Sequence, residues 1–335
     1  MTLIVDSNPI SGAMERGFSQ SLRSPVLEVA DLSVSFGARN VVSGVSYGIL
    51  PGHTMGIVGE SGCGKSMTAL TLMGLVLSPG RVTGSVRLAG KEITRQTTKE
   101  WQALRGRDIA MIFQEPMTAL NPVMKVGQQV AEVLVLHKDF SWTAAEAEAV
   151  RLLDSVGIAS PKERARSYPH QMSGGMRQRA MIAMALACEP AVLVADEPTT
   201  ALDVTIQAQI LDLMGDLQDR TGMAIQFISH NLAAVYEIAH DIMVMYAGRI
   251  VEKSDCDTLF KRPLHPYTQG LIQTLPDPQV RLDRLPVIKG GVPNLDRVKG
   301  CRFADRCPLS DASCRQAEPP LVEHEPNHFA ACFKI

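Results

Sequence analysis

The chain has 335 residues, 45% of them hydrophobic and 20% charged. That is enough apolar material for one large domain or a domain with an appendage, and a net charge of -2 argues against a nucleic-acid-binding surface as its main business. A membrane-spanning helix needs about 20 mostly apolar residues, and the most apolar stretch, residues 180–195, is broken by Glu189 and Pro190.

Residues 1–24 contain Asp6, Glu15 and Arg16 and no apolar core long enough for export, so they are expected to form a polar tail. Short β-rich runs follow at 26–29, 34–36 and 55–58, and a helix is expected from Lys65 to about residue 75. Strand, Gly-rich loop, helix is the order that a phosphate-binding loop needs. Asn121-Pro122 marks a turn. Residues 126–136 and 144–156 then read as helices, with Gly157 closing the second. We take this stretch, about 115–175, as a helical insertion within a nucleotide-binding core. Beyond it, helices at 176–187, 205–220 and 233–239 alternate with strands at 192–195, 224–228 and 242–246. Such alternation predicts an α/β fold with a mostly parallel sheet covered by helices on both faces. From Arg262 onward prolines punctuate the chain and periodicity fades, so residues 263–335 are expected to be an irregular extension of a domain spanning 25–262.

Residues Gly59, Glu60, Ser61, Gly62, Cys63, Gly64, Lys65 and Ser66 fit the phosphate-loop pattern G-x-x-x-x-G-K-S in full, and Met67 follows in the helix. Glycines let the backbone curl so that N–H groups meet the phosphates. Lys65 then supplies a point charge to the β- and γ-phosphates of ATP and the Ser66 hydroxyl reaches Mg2+. Downstream, an apolar run ends in Asp196 and Glu197. Asp196 is suited to complete the magnesium shell through water, and Glu197 to act as general base on the attacking water. Ser173, Gly174, Gly175 and Met176 open a helix, which makes either a second anion site or simply a helix capped by Ser173. His230 and Gln114 each follow an apolar strand. His230 could contact the γ-phosphate and Gln114 could ligate magnesium or the water, although alone each would be read as structural or surface.

Taken together and in this order, the motifs resemble the nucleotide-binding subunit of an ABC transporter, over about residues 27–247. Gly59 to Ser66 resembles Walker A, Gln114 the Q-loop, Ser173-Gly174-Gly175 the family signature, and 192–197 Walker B. Ala201-Leu202-Asp203 resembles the D-loop, His230 the switch histidine, and Phe36 the aromatic ring that stacks on adenine. The resemblance implies a P-loop NTPase fold of ABC type, with an antiparallel β portion beside the parallel core. It also implies a head-to-tail pair of cassettes, with ATP between the Walker A of one and the signature of the other. Met176 stands where the signature usually has glutamine, which is expected to weaken a polar contact to the opposing ATP. Asn231 follows His230 where the family often has aspartate.

The run His265-Pro266-Tyr267 and the Pro-rich extension with its late cysteines further resemble the ATPase subunits of bacterial dipeptide and oligopeptide importers, a group that includes nickel and glutathione importers. This implies a second ATPase chain, usually a different one, two multi-span permease subunits and an extracytoplasmic binding protein. The chain would then be peripheral at the cytoplasmic face of the plasma membrane. A non-transport ABC ATPase would be expected to carry two cassettes or a long coiled-coil insertion, and an exporter fused membrane helices; none of these is present. Four of seven cysteines, Cys301, Cys307, Cys314 and Cys332, crowd the last 35 residues. Four thiolates are the ligand count of a [4Fe–4S] cluster. Zn2+ also accepts four cysteines, though usually through C-x2-C pairs, and two disulfides are disfavoured in a reducing compartment. Some subunits in the importer group carry an iron–sulfur cluster in this extension. Its role here would be structural or redox-sensing, since nothing in the sequence ties it to the ATP site.

Overall fold

Three five-residue runs with no polar face, β3 (Thr54–Val58), β7 (Val192–Asp196) and β8 (Ala224–Ile228), are buried at every position. Continuous burial of this kind belongs to parallel strands covered on both faces. The computed structural model, which describes residues 24–114, 119–200, 202–275, 287–293 and 298–335, sets them side by side in the interior of an eight-stranded sheet. Apart from Ser24, the expected N-terminal tail lies outside the described residues. The sheet order is β11-β12-β10-β9-β3-β8-β7-β6, with β6 at Ile109–Ile112, β9 at Asp241–Tyr246, β10 at Arg249–Asp255, β11 at Val322–Glu325 and β12 at His328–Ala330. Strands β9, β3, β8, β7 and β6 pair in parallel, while β10, β12 and β11 continue the sheet antiparallel.

A second sheet is antiparallel throughout, in the order β2-β1-β4-β5. The runs expected as separate strands at 26–29 and 34–36 are one strand, β1 (Leu27–Phe36). Between Val29 and Leu32 it bulges, Asp31 takes φ 48°, and the register with both neighbours shifts. A bulge resets the two-residue period, which is why a single strand reads as two. The other strands of this sheet, β2 (Arg39–Ile49), β4 (Gly80–Leu88) and β5 (Lys91–Glu92), carry polar or glycine residues on their open face and are not evident from the sequence.

Two cores result. One face of the large sheet packs with the antiparallel sheet and α1 (Lys65–Leu72) around Leu27, Val45, Ile57 and Leu72. The other packs around Val130, Leu153, Ile182, Ile210 and Phe227. There the expected helices stand at Val126–His137, Trp142–Ser155, Gly174–Leu186, Val204–Thr221 and Leu232–Ile238. Among the described residues no helix is long and apolar enough to cross a membrane.

The extension is more ordered than its proline content suggests. It carries helices Pro266–Gln273 and Ala312–Gln316 and the β11–β12 hairpin, whose β12 pairs with β10 through Glu252↔Ala330. The reason is a buried carboxylate. Glu252, fully buried on β10, accepts from the backbone N–H of Leu264 (2.7 Å) and His265 (2.9 Å) and meets Nε2 of buried His328 on β12 at 2.7 Å. Removing one member of such a set leaves the others desolvated and unpaired. Glu252→Ala is therefore expected to lower stability by ~3 kcal/mol or more. The checks are thermal melting and limited proteolysis, with early cutting in the extension; an unchanged melt would contradict this anchor.

Candidate functional site

Parallel pairing fixes where four loops emerge. Ile57 of β3 lies opposite Ile228 of β8, Ile228 opposite Asp196 of β7, and Ala195 of β7 opposite Ile112 of β6. The carboxyl ends of these neighbouring strands therefore lie side by side, the edge at which open α/β sheets bind ligands. From them run the phosphate loop (after Val58), His230 (after Ile228), Asp196 and Glu197 (at the end of β7) and Gln114 (after Ile112).

The side chains then converge on Glu197. Its Oε2 accepts from Gln114 Nε2 at 3.1 Å and from Thr200 Oγ1 at 2.9 Å, and lies 3.1 Å from His230 Nδ1. The Glu197 backbone adopts φ 50°, a left-handed conformation costly for a side-chain-bearing residue, and its N–H is tied to Ile228 O at 2.9 Å. That turn aims the carboxylate away from the strand, toward Gln114 and His230. Asp196 is buried; desolvation raises its pKa, opposed by a hydrogen bond from Ser66 Oγ at 3.1 Å. Thus Ser66 and Asp196, expected to share a metal, are in direct contact. Thr200 gave no signal in the sequence beyond its nearness to Glu197.

Within the phosphate loop, buried Lys65 donates from Nζ to the carbonyls of Gly59 (2.7 Å) and Glu60 (3.0 Å). Gly59 has φ +149°, and a Cβ there would come within 2.2 Å of Met245 O. Gly64 caps α1 in a left-handed conformation, φ 102°. Cys63 is buried, Met67 packs against the core under the antiparallel sheet, and Ser61 and Gly62 are exposed at the loop's crest. Phe36, half-buried, ends β1 beside Gly80.

Ser173, Gly174, Gly175, Met176 and Asp203 form a second group. Ser173 caps the helix Gly174–Leu186 by accepting from Met176 N at 3.3 Å, and Asp203 caps Val204–Thr221 by accepting from Ile206 N at 3.0 Å. The two helix starts adjoin, for a Cβ on Gly175 would meet Ile206 at 3.0 Å. Of the expected D-loop, Ala201 lies outside the described residues.

The extension reaches the phosphate loop, which the sequence did not foretell. Tyr267 Oη accepts from Glu60 N at 2.8 Å, and the guanidinium of Arg306 pairs bidentately with the Glu60 carboxylate at 2.7 and 2.8 Å. Arg306 stands directly before Cys307. Cys301, Cys307, Cys314 and Cys332 together line one small cavity beside Pro266 and Phe303. Burial pushes the Cys301 thiol up to about 11 and raises those of Cys307 and Cys332, with the neighbouring thiols adding to the rise. Among the described residues no group of three or more His, Cys, Asp or Glu side chains is arranged to hold a metal ion as it stands. The donor set thus matches four-thiolate ligation in kind and number, without the closed geometry of a ligated site.

This fold and this edge of the sheet define a P-loop nucleotide-binding cassette. A family model described as ABC transporter matches residues 42–200, and one described as the oligopeptide/dipeptide transporter C-terminal region matches 251–314. The chain is 46% identical over 321 residues to the oligopeptide transport ATP-binding protein OppD of Escherichia coli, covering 94% of this chain and 95% of that one. It is 46% identical over 317 residues to the oligopeptide transport ATP-binding protein AppD of Bacillus subtilis, covering 92% and 97%. Similarity also extends to cbiO1 from Clostridium perfringens, part of an ABC transporter complex, with TM-score 0.62 and 25% identity over 71% of this chain and 91% of that one. The fold also matches a dimeric post-hydrolysis ATP-binding cassette bound to ADP and Pi, with TM-score 0.62 and 23% identity over 69% and 98%. The chain belongs to the ATP-binding subunits of ABC transporters, in the branch that carries the oligopeptide/dipeptide C-terminal region.

Because Gly59 combines a positive φ with a blocked Cβ position, Gly59→Ala is expected to distort the loop that Lys65 spans. Titration with ATP should read at least a tenfold loss of affinity, the equivalent of ~1.4 kcal/mol. Affinity within twofold of wild type would show that the backbone there is not constrained.

Proposed function

We propose that this chain hydrolyses ATP to drive import of di- or oligopeptides through a membrane ABC transporter. The observation that carries the reading is the convergence of Gln114, Thr200 and His230 on one oxygen of Glu197, next to the Ser66–Asp196 pair and the Lys65 loop. The peptide cargo is supported by the oligopeptide/dipeptide C-terminal region and by the names of the relatives. In this reading residues 25–262 are the nucleotide-binding domain, with a helical subdomain at about 115–175, and residues 263–335 the importer-type extension.

The phosphates of ATP lie along the loop of residues 59–66, against the N-terminal end of α1, and Lys65 leaves the loop carbonyls to meet them. Phe36 stacks on the adenine. Ser66 and Asp196, with Gln114, would hold Mg2+, which neutralises charge on the β- and γ-oxygens; few protein ligands suffice, since such sites complete the shell with water and substrate. Glu197, fixed by its three partners, takes a proton from water as the water oxygen bonds to the γ-phosphorus. The bond to the β-bridging oxygen breaks and ADP leaves with its electron pair. His230 holds Glu197 and the γ-phosphate end in register.

The second group, Ser173 to Met176 with Asp203, fits an anion supplied by a partner cassette, since Lys65 already serves this chain's own nucleotide. Closure of two cassettes on ATP would then move two permease subunits that receive cargo from an extracytoplasmic binding protein. The chain sits peripherally at the cytoplasmic face of the membrane. The paired ATPase is a different chain, as the importer group commonly uses. In the extension, Cys301, Cys307, Cys314 and Cys332 would hold a [4Fe–4S] cluster, which supplies cross-linking and electron-accepting capacity; support comes from their shared cavity.

Glu197→Gln in the assembled transporter is expected to lower ATP turnover ~10²–10⁴-fold while ATP still binds and the closed pair accumulates. Turnover above about a tenth of wild type would remove Glu197 from the role of base. Protein purified without oxygen is expected to be brown and to hold about four irons per chain. Colourless protein with one zinc would favour the zinc reading, and metal-free protein with an intact melt would exclude both.

A further inference from the structure

We infer that the C-terminal extension is a positioning element of the ATP site: Arg306 and Tyr267 clamp Glu60 and so hold the phosphate loop in the shape that receives nucleotide. The inference rests on the nucleotide-site reading above and adds residues to it that lie far outside the phosphate-loop motif.

Glu60 is gripped at every polar group it has. Tyr267 Oη takes its N–H at 2.8 Å, Lys65 Nζ donates to its carbonyl at 3.0 Å, and Arg306 pairs with both carboxylate oxygens. Arg306 is itself held. Its side chain is 6% exposed, Nε donates to Lys289 O at 2.8 Å, and other guanidinium N–H groups reach Ile288 O and Tyr246 Oη, both at 3.2 Å. Its guanidinium also lies over the rings of Tyr246 and Phe303 at 5.6 and 5.8 Å. A part-buried bidentate arginine–carboxylate pair fixes direction as well as distance, which a lysine in its place would not do.

Tyr267 is equally constrained. His265 caps the helix Pro266–Gln273 by accepting from Tyr267 N at 3.0 Å, and Pro266 occupies its first turn. Tyr267 is fully buried against Tyr246 and Phe303, so its hydroxyl has a fixed location. The sequence His-Pro-Tyr thereby acquires a mechanical reading: cap, helix start and the oxygen that meets the loop. Strand β9, which carries Tyr246, pairs with β3, which launches the loop. Arg306 and Tyr267 thus pack against the strand beside the one that launches the loop.

Other bonds attach the extension that carries the clamp. Besides Glu252 and His328, Arg302 donates to Ala247 O and to Ser43 Oγ (3.3 Å), and Arg249 pairs with Glu318. A segment needed only to cover a surface would not require an arginine aimed at the phosphate loop.

The test uses the full-length chain and three variants, Arg306→Ala, Glu60→Gln and the double substitution. Hydrogen–deuterium exchange over residues 59–66, without nucleotide, reads the clamp directly. ATP titration reads its consequence. Each single variant is expected to speed exchange in the loop and to weaken ATP binding about 5- to 50-fold. The double variant should be no worse than the poorer single one, because both remove the same bond. Arg306→Lys should recover only part of the loss. For Arg306→Ala in the assembled transporter, KM for ATP should rise with kcat held within about twofold, the split expected of lost positioning in binding. Unchanged exchange, or single effects that multiply in the double variant, would overturn the clamp. Should Arg306→Ala fail to fold, Glu60→Gln leaves the other Arg306 bonds in place and decides the matter alone. Wild-type protein that binds no ATP would sink the nucleotide-site reading, while the exchange data still decide the clamp.

Discussion

Everything at the site depends on the parallel register of β3, β8, β7 and β6. Adjacent strands stand ~4.8 Å apart, so pairing Ile57 with Ile228, Ile228 with Asp196, and Ala195 with Ile112 brings four chain segments to one edge within side-chain reach. The phosphate loop, Gln114, Glu197 and His230 are spread over more than 170 residues of chain. No local preference could bring them together. Burial does it: β3, β7 and β8 are buried at every position, so each must be covered on both faces and flanked by strands.

Around that edge the protein trades local strain for direction. Glu197 adopts a left-handed conformation that a side chain disfavours, and the strand-end bond to Ile228 O holds it there. The carboxylate then meets Gln114, Thr200 and His230 on one oxygen. Lys65 and Glu60 follow the same logic within the loop, where main-chain and side-chain groups hold a curl that glycines permit but do not themselves enforce.

The extension extends the sheet and also reaches the site. Glu252 recruits His328 and two backbone N–H groups to bring β12 alongside β10, and Arg306 and Tyr267 reach Glu60 from the segment so attached. Buried charge is costly unless every partner is present. Glu252 and Arg306 therefore specify one docking of the extension rather than a loose cover. Their partners lie 12 to 246 residues away along the chain.

What the sequence by itself determined is what local chemistry dictates. The phosphate-loop glycines, the apolar run ending in Asp196 and Glu197, and the helix start that Ser173 caps are written in consecutive residues. Period, cap and loop signals are short-range, so they survive without a fold. The structure alone decided the long-range pairings. The bulge at Asp31 joins two apparent strands because both neighbours shift register around it. Thr200 and Arg306 gain their partners only when β7 and the extension are docked. The four thiols, close in sequence at the end of the chain, share one cavity with Pro266 and Phe303 once the extension is folded. A hydrogen bond across 246 residues leaves no mark on the residues between its ends, so no reading of spacing could have found Arg306 on Glu60.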